Sequence, residues 1–387
     1  MLERETLWKF LANDCSLVVI STADLDAAYR IFSVLNNRGL DLAPIDIIKA
    51  AVLGAIRAKD GEAKSKKYAK EWSNLEIELG REAFGELFTH IRAIYAKQKQ
   101  RATLVKEFQE QVTEYNTPIA LIDDVIKPYA DVWSFVRDAA FEATEHSEAI
   151  NEYLAWLNRV DFKDWVPPAL AYFKRFRQSP ELLKCFFKSL ERMTYFLLVT
   201  KVGINERIES FASLVREIEE VEFDGSVTSL RSLKLNKKNK REFREALDGD
   251  IYQRLPKARM ALVLRLEALM SDGSKNQEYR YLSLEHVLPQ SPVEKSQWFK
   301  WFADEEERED WIHRLANLVP LHGRKNSSAR NFEFASKKDS YFFKNEQSSP
   351  FILTNELRIQ SKWNPETLEK RQTRLLAILC KHWELDD

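Results

Sequence analysis

Apolar residues recur at spacings of three and four over most of the first 270 positions, which is the period of an amphipathic helix. The most apolar stripe predicts a helix central to the middle of the chain, and it consists of Leu182-Leu183, Phe186-Phe187, Leu190, Met193 and Phe196-Leu197. Shorter stripes follow the same period at 83–95, 132–136 and 153–157. Trp and Phe at this spacing are more often core than ligand platforms. The pattern therefore predicts a mainly α protein.

The first recognisable unit is a pair of helices. Their predicted apolar faces are Leu25, Ala28, Phe32 and Leu35 for the first helix, and Ile45, Ile48, Val52 and Ile56 for the second. Ser21 or Thr22 could cap the first helix, and Gly39 is typical of the left-handed residue that ends one. Pro44 suits the first turn of the second helix. The spacing predicts a helical hairpin over about 21–56.

The pattern changes after residue 280. The run Tyr281-Leu-Ser-Leu-Glu285-His286-Val-Leu-Pro289 begins by alternating, as a half-buried strand does, and Pro289 cannot continue a strand ladder. A second apolar segment, Leu315-Ala-Asn317-Leu-Val-Pro-Leu321, predicts another strand. A lone histidine in a strand is usually structural. A Glu-His pair before a proline, followed by two asparagines, favours a hydrolytic site instead.

These residue types suit phosphodiester hydrolysis. The reaction needs a water deprotonated near neutral pH, and a neutral imidazole has a suitable pKa, so His286 is the candidate general base. The negative charge that develops on the leaving oxygen needs a hard cation. Mg²⁺, or Mn²⁺ in its place, prefers oxygen ligands and keeps several waters. Glu285 and Asn326 are the candidate metal ligands.

The region resembles the His-Asn-Asn nucleases, also called HNH, ββα-metal or His-Me finger nucleases. It is most similar to the C-terminal domain of GmrSD-type type IV restriction endonucleases, which also has a late Trp-x-x-Glu segment like the one from Trp363 to Glu366. The resemblance implies that Asn317 holds the loop carrying His286 by hydrogen bonding to its backbone. With His286 and Asn326, Asn317 completes the expected catalytic set.

The sequence departs from the family pattern around the second strand. Ala316 stands where the family usually has Gly before Asn317, and Pro320 falls inside the strand. His322 could compete as a metal ligand, although a solvated loop histidine is the favoured interpretation. None of these departures touches the proposed ligands Glu285 and Asn326.

A second resemblance lies near the N-terminus. The segment from Phe32 to Lys49, with its Asn36-Asn37-Arg38-Gly39 run, resembles a segment late in the N-terminal domain of GmrSD-type proteins. Family members with the complete domain are associated with nucleotide hydrolysis and carry an upstream Asp-Gly-Gln-Gln-Arg loop, which this sequence lacks. We expect a remnant of that domain here, and a separate protein could supply the nucleotide-hydrolysing half.

Charge is distributed in blocks, which matters more than the formal net charge of −1. Arg324, Lys325, Arg330, Lys337 and Lys338 are expected on the helix that would carry Asn326, and we interpret them as contacts to DNA phosphates. The block from Arg231 to Arg244 is equally well explained as a solvated helix start or as a phosphate contact. The acidic block at 304–310 is expected on an outward-facing helix, because it would repel DNA at the site.

Composition narrows the classes of protein to which the chain can belong. The chain has 387 residues, 44% of them hydrophobic, with only 10 Gly and 12 Pro, which indicates an ordered and helix-rich protein. Its three cysteines, Cys15, Cys185 and Cys380, are far apart, which argues against structural zinc and a disulfide framework. Neither a transmembrane run nor a signal-peptide pattern is present. These features favour the cytoplasm.

The sequence thus predicts a mainly α protein with a C-terminal ββα-metal (HNH) nuclease domain. The expected domains are a remnant of the N-terminal domain at 1–60, a helical middle domain at 61–265 and the nuclease domain at 266–387. The expected function is metal-dependent cleavage or nicking of double-stranded DNA in bacterial anti-phage restriction. The alternatives are a non-catalytic DNA- or partner-binding subunit and an RNA-directed nuclease.

Overall fold

The computed structural model describes residues 6, 8, 10, 12–13, 15, 43–220, 222–271, 282–322, 331–342 and 349–386. Within these ranges the protein is mainly helical, with two short strands. It forms two compact units, one from Met1–Ala96 and Gln100–Ala130 and the other from Lys97–Lys99 and Asp131–Asp387. None of the described helices combines the length and the apolar character needed to cross a membrane.

Helices α1 to α5 belong to the first unit, and α6 crosses its border. Their bounds are Pro44–Asp60 (α1), Glu62–Leu79 (α2), Arg81–Ala96 (α3), Leu104–Gln111 (α4), Pro118–Ala120 (α5) and Lys127–Asp138 (α6), with a π-helical turn at Leu121–Ile126 and a 3₁₀ turn at Thr113–Asn116. Pro44 opens α1, and the predicted face Ile45, Ile48, Val52 and Ile56 is buried. The first helix of the predicted hairpin lies outside the described residues. Trp72 packs edge-on against Phe84, 5.6 Å between ring centroids, at the core of this unit.

The second unit holds the remaining helices. They are Ser147–Asn158 (α7), Val166–Phe176 (α8), Pro180–Val199 (α9), Ile204–Ile218 (α10), Lys237–Asp248 (α11), Ile251–Arg254 (α12), Arg259–Met270 (α13), Gln297–Trp301 (α14), Glu305–Ile312 (α15), Phe334–Phe342 (α16), Ile352–Asn355 (α17) and Pro365–Trp383 (α18). Short 3₁₀ turns lie at Val227–Ser229, Arg231–Leu233, Leu315–Asn317 and Glu356–Ile359. The most apolar predicted stripe forms α9, whose Phe186 stacks on Tyr172 at 3.8 Å between ring centroids.

A buried ion pair joins three helices of this unit. The Arg265 guanidinium on α13 donates to both carboxylate oxygens of Glu191 on α9, at 2.9 and 3.1 Å. The Trp383 indole on α18 donates to the same carboxylate. Burying a charge is costly unless it is paired and hydrogen-bonded, and here each charge has partners. The pair fixes α13, the last described helix before the first strand.

The two strands form one antiparallel sheet from Leu282–His286 (β1) and Leu318–His322 (β2). In the register, Glu285 pairs with Val319 and Leu284 pairs with Pro320. Pro320 is tolerated because a two-stranded sheet consists only of edge strands. Its carbonyl accepts a hydrogen bond of 2.8 Å from the Thr354 hydroxyl on α17.

An apolar core packs against the sheet and positions α16. It consists of Val287, Leu288, Trp298, Phe302, Ile312, Ala316, Val319, Leu321, Phe334, Leu357, Trp363 and Leu368. Phe334, the first residue of α16, stacks on Trp363 at 5.6 Å between ring centroids. Trp298 on α14 donates from its indole to the Phe332 carbonyl at 3.1 Å. These contacts hold the start of α16 beside the strands.

Candidate active site

The predicted Glu-His pair occupies the last two positions of β1. Both side chains are buried, with 7% of Glu285 and 5% of His286 exposed. Successive residues of a strand point to opposite faces, and the two side chains have different neighbours. Glu285 meets α16, whereas His286 meets α12 and the end of α15. The strand therefore places the predicted metal ligand Glu285 and the predicted base His286 in separate surroundings.

Asn317 holds the backbone that follows His286. Its Oδ1 accepts from the Leu288 amide at 2.7 Å, and its Nδ2 donates to the carbonyls of Leu288 and Ile312, each at 2.9 Å. The Trp363 indole also donates to Asn317 Oδ1, at 3.0 Å. These are the backbone hydrogen bonds predicted for Asn317. With both amide donors and its oxygen engaged and none of its surface exposed, Asn317 shapes the site without facing a substrate.

Helix α18 holds the residue before Asn317 in the same way. The amide of Ala316 donates to Gln372 Oε1 at 2.8 Å, and its carbonyl accepts from Arg371 Nε at 3.1 Å. Ala316 is fully buried. At this turn the backbone has no neighbouring strand to bond to, and side chains of α18 supply its hydrogen-bond partners instead. They fix the backbone just before β2.

His286 lies in a cluster of polar rings and amides. Its Nε2 is 3.2 Å from Nδ1 of His313, and its Nδ1 is 3.2 Å from Nε2 of Gln290. The Tyr252 ring meets the imidazole edge-on, 4.2 Å between centroids, and stacks on His313 at 5.6 Å. The Arg259 guanidinium lies 3.8 Å from the Tyr252 ring centroid. Each nitrogen of His286 therefore has a defined partner.

The surroundings of His286 favour the neutral imidazole. Burial, with smaller contributions from His313, Lys337 and Arg259, lowers the pKa of His286 from 6.5 to about 3. Burial also lowers the pKa of His313, against the opposing effect of Asp250. A neutral imidazole has one nitrogen with a lone pair, as a general base requires, but a pKa of about 3 lies well below the near-neutral value that best suits this role.

Glu285 forms a buried ion pair with Lys337 of α16. The Lys337 ammonium is 2.8 Å from Glu285 Oε1 and 2.7 Å from the His286 carbonyl, to both of which it donates. Only 1% of Lys337 is exposed. Burial lowers the pKa of Lys337, and the Glu285 carboxylate opposes that effect. Lys337 thus connects α16 to the end of β1.

The side chains that the structure describes around β1 do not form a binding site for a divalent cation. The Glu285 carboxylate is already neutralised by a buried ammonium, which would repel a cation beside it. Asn326, the other predicted ligand, lies outside the described residues, as does the His322 side chain. Among the residues that the structure describes, no group of three or more His, Cys, Asp or Glu could hold a metal ion.

Comparison with known families identifies this part of the chain. Residues 236–378 match the model for GmrSD restriction endonucleases, C-terminal domain. Over these residues the chain is similar to the C-terminal domain of GmrSD restriction endonucleases. The match begins just before α11 and ends within α18, so it includes the sheet, His286 and Asn317. No curated protein matches the chain.

The basic residues predicted for DNA contact in this GmrSD domain are not equivalent. Lys337 is buried in its ion pair, a position that does not suit a phosphate contact. Lys338 is half-buried, and its ammonium donates to the Gln360 carbonyl at 2.8 Å. The helix that carries Lys337 and Lys338 begins at Phe334, so these two residues do not share a helix with Asn326, as the sequence had predicted. Arg324, Lys325 and Arg330 lie outside the described residues. The contact to phosphate stays a prediction for these three.

Two charged helices of the GmrSD domain are exposed. Helix α11 begins at an Asn236 cap, and Lys237, Lys238 and Arg241 extend into solvent. Lys240 and Arg244 on the same helix contact Asp386. The acidic helix α15 is capped by Asp304, and its glutamates face solvent, as predicted.

The sequence interpretation missed the partners of His286. His313 follows α15 and Tyr252 lies on α12, at 27 and 34 positions from His286. Neither carries a motif that marks it as a site residue. Only the register of the sheet and the position of α12 bring them together, because the amides of Ile251 and Tyr252 donate to the His313 carbonyl.

Proposed function

We propose that the protein is an endonuclease that hydrolyses phosphodiester bonds in double-stranded DNA. The match to the C-terminal domain of GmrSD restriction endonucleases supports a restriction endonuclease. One observation supports the catalytic assignment of His286. The Asn317 side chain hydrogen-bonds to the backbone of Leu288, two residues after His286, and so fixes the segment that follows the histidine. We propose further that β1, β2 and α16 are the strands and helix of a ββα-metal (HNH) nuclease domain.

His286 would act as the general base. It is neutral, its ring is held by contacts on two sides, and Gln290 beside its Nδ1 is exposed. A water that replaces the Gln290 amide at Nδ1 would transfer its proton to that nitrogen as its oxygen attacks phosphorus, and the bond from phosphorus to the leaving oxygen would break. A positioned general base typically contributes a factor of about 10² to 10⁴ to the rate.

Mg²⁺ or Mn²⁺ remains the cofactor that we propose from the sequence. When bound, such an ion would stabilise charge on the phosphate and on the leaving oxygen. Because Glu285 is paired with Lys337 and Asn326 is outside the described residues, we assign no step of the reaction to the ion. The role of Lys337 in this proposal is to fix Glu285 and the His286 carbonyl.

Nicking of supercoiled plasmid by purified protein tests the proposed activity. Wild type is incubated with Mg²⁺, with Mn²⁺ and with EDTA, and the relaxed and linear products are measured over time. We expect conversion with a divalent ion and none in EDTA. Conversion that is equal in EDTA would contradict the metal requirement, and no conversion under any condition would contradict the nuclease assignment. A labelled RNA duplex in parallel distinguishes the RNA-directed alternative.

A second candidate function is a non-catalytic DNA- or partner-binding subunit. The Glu285–Lys337 pair favours it, because this pair neutralises the predicted metal ligand. In that case the protein would bind DNA without nicking it, and activity would require a separate protein with the nucleotide-hydrolysing half. For either function we propose a setting of anti-phage restriction in the bacterial cytoplasm.

A further inference from the structure

We propose that His313 is a positioning residue that fixes the tautomer of His286. The proposal rests on the proposed function, because it concerns the nitrogen of His286 that acts as base. His313 Nδ1 lies 3.2 Å from His286 Nε2, with the two rings nearly perpendicular at 84°. Two neutral imidazoles at this distance share one hydrogen, so one ring donates and the other accepts.

The position of His313 is set by its backbone. Its carbonyl accepts from the amides of Ile251 and Tyr252, at 3.2 and 3.3 Å, which ties it to the start of α12. The Tyr252 ring then stacks on the His313 ring and meets the edge of His286. A side chain held by both its backbone and its ring face can hold a second ring in one orientation.

The hydrogen bonds form a chain from Gln290 through His286 and His313 to Gln253. The Gln290 amide nitrogen faces His286 Nδ1 at 3.2 Å, and Gln253 faces His313 Nε2 at 2.6 Å, measured to its amide nitrogen. A hydrogen on Nε2 of His286 lets Nδ1 accept from Gln290 and Nε2 donate to His313. His313 then donates from Nε2, and Gln253 accepts with its amide oxygen once the amide is turned.

If all the hydrogen bonds between Gln290 and Gln253 ran in the opposite direction, His286 could not act as the base. His286 would carry its hydrogen on Nδ1, the nitrogen next to the exposed Gln290. Its lone pair on Nε2 would then be covered by His313. With hydrogen on Nε2, the lone pair lies on Nδ1, where a water can replace the exposed Gln290 amide. When its own hydrogen is on Nε2, His313 accepts from His286 and holds this tautomer, and it still accepts from Nε2–H when Nδ1 has taken the proton of the water.

Two substitutions at position 313 separate positioning from packing. His313→Phe keeps a ring to stack on Tyr252 and removes the acceptor, whereas the side-chain oxygen of His313→Asn can accept in place of Nδ1. We expect kcat to fall on the order of 10-fold to 10²-fold in His313→Phe with KM unchanged, less than the roughly 10⁴-fold that follows loss of an ionised orienting carboxylate. His313→Asn should recover most of the loss.

The direct readout is ¹⁵N NMR of imidazole nitrogens in histidine-labelled protein, with His286 assigned by the signals lost in His286→Gln. Wild type should show a pyridine-like Nδ1 and a pyrrole-like Nε2 for His286. In His313→Phe the two shifts should converge as the tautomers mix, and in His313→Asn they should stay apart.

Equal tautomer populations for His286 in wild type, or an unchanged spectrum and kcat in His313→Phe, would overturn the proposal. If His313→Phe does not fold, the wild-type spectrum decides the matter alone. Failure of the proposed function looks different, because wild type would then not nick DNA, or nicking would survive His286→Ala, whatever the spectrum shows.

Discussion

Lys337 and Glu285 form a salt bridge inside the protein, with 2.8 Å between Nζ and Oε1. The same ammonium donates to the carbonyl of His286, so one buried cation holds both the side chain and the backbone at the end of β1. A buried pair of this kind does not contribute much net stability, but removing one partner leaves a charge without compensation. Its main consequence is that Glu285 and α16 are fixed together.

Lys337→Met should therefore destabilise the protein by about 3–5 kcal/mol, because Glu285 would remain buried without the ammonium of Lys337 beside it. The double substitution Glu285→Gln with Lys337→Met should recover a large part of this loss. Urea unfolding at pH 7.5 measures the free energy of unfolding of the wild type, the two single variants and the double variant. If the two single substitutions and the double substitution simply add, the salt bridge does not couple these residues and our description of it is wrong.

Asn317→Ala should be strongly destabilising, on the order of 4 kcal/mol. It would leave the amide and carbonyl of Leu288 and the indole of Trp363 buried without partners. Trp363→Phe is the matched control, because it removes one hydrogen bond and keeps a ring against Phe334, and should cost about 2 kcal/mol. Chemical denaturation gives both values. A smaller loss for Asn317→Ala than for Trp363→Phe would contradict the role assigned to Asn317.

The stability of the metal-free protein should decrease as the pH falls below 6.5. The pKa of His286 is about 3 in the folded protein and close to 6.5 when unfolded, so between these values only the unfolded state binds the proton. This one group contributes at most about 1.4 kcal/mol per pH unit. Urea unfolding in EDTA from pH 7.5 to 5.0 should show a smaller slope for His286→Gln than for wild type. Equal slopes would show that His286 is protonated normally in the folded state.

DNA affinity should depend on salt through cations that reach phosphates. Replacing Arg324, Lys325 and Arg330 by Gln should flatten the plot of log K against log salt by about 0.9 per lost contact, equally on unrelated sequences. The alternative DNA-binding surface is on α11, where Lys238 and Arg241 are exposed, and a second variant replaces these two residues by Gln. Fluorescence anisotropy titrations of the two variants decide between them. If only the α11 variant changes the slope, the phosphate contacts lie there.

Much of the backbone structure around this site could be predicted from the sequence. Alternation located β1, and the spacing of the two segments located its partner strand. The hydrogen bonds of Asn317 to the loop after His286 were expected from the family resemblance. The late Trp363 segment also carried a signal, because its indole completes the hydrogen bonds of Asn317.

The partners of Glu285 and His286 could not be predicted in the same way. Lys337 looks like one of several lysines on a basic helix, and its burial depends on how Phe334 packs three residues earlier. His313 ends an ordinary acidic helix, and nothing in its spacing points to His286. Such contacts are set by tertiary packing between segments far apart in sequence. The opposite orientation of Glu285 and His286 does follow from strand geometry.

The central claim is that His286 is the base of a phosphodiester hydrolysis. The most direct test compares the nicking rates of wild type, His286→Ala and the control His146→Asn, with DNA affinity measured for each. We predict a loss of about 10²-fold to 10⁴-fold for His286→Ala with affinity nearly unchanged, and a wild-type rate for His146→Asn. Nicking by His286→Ala at the wild-type rate would contradict the account.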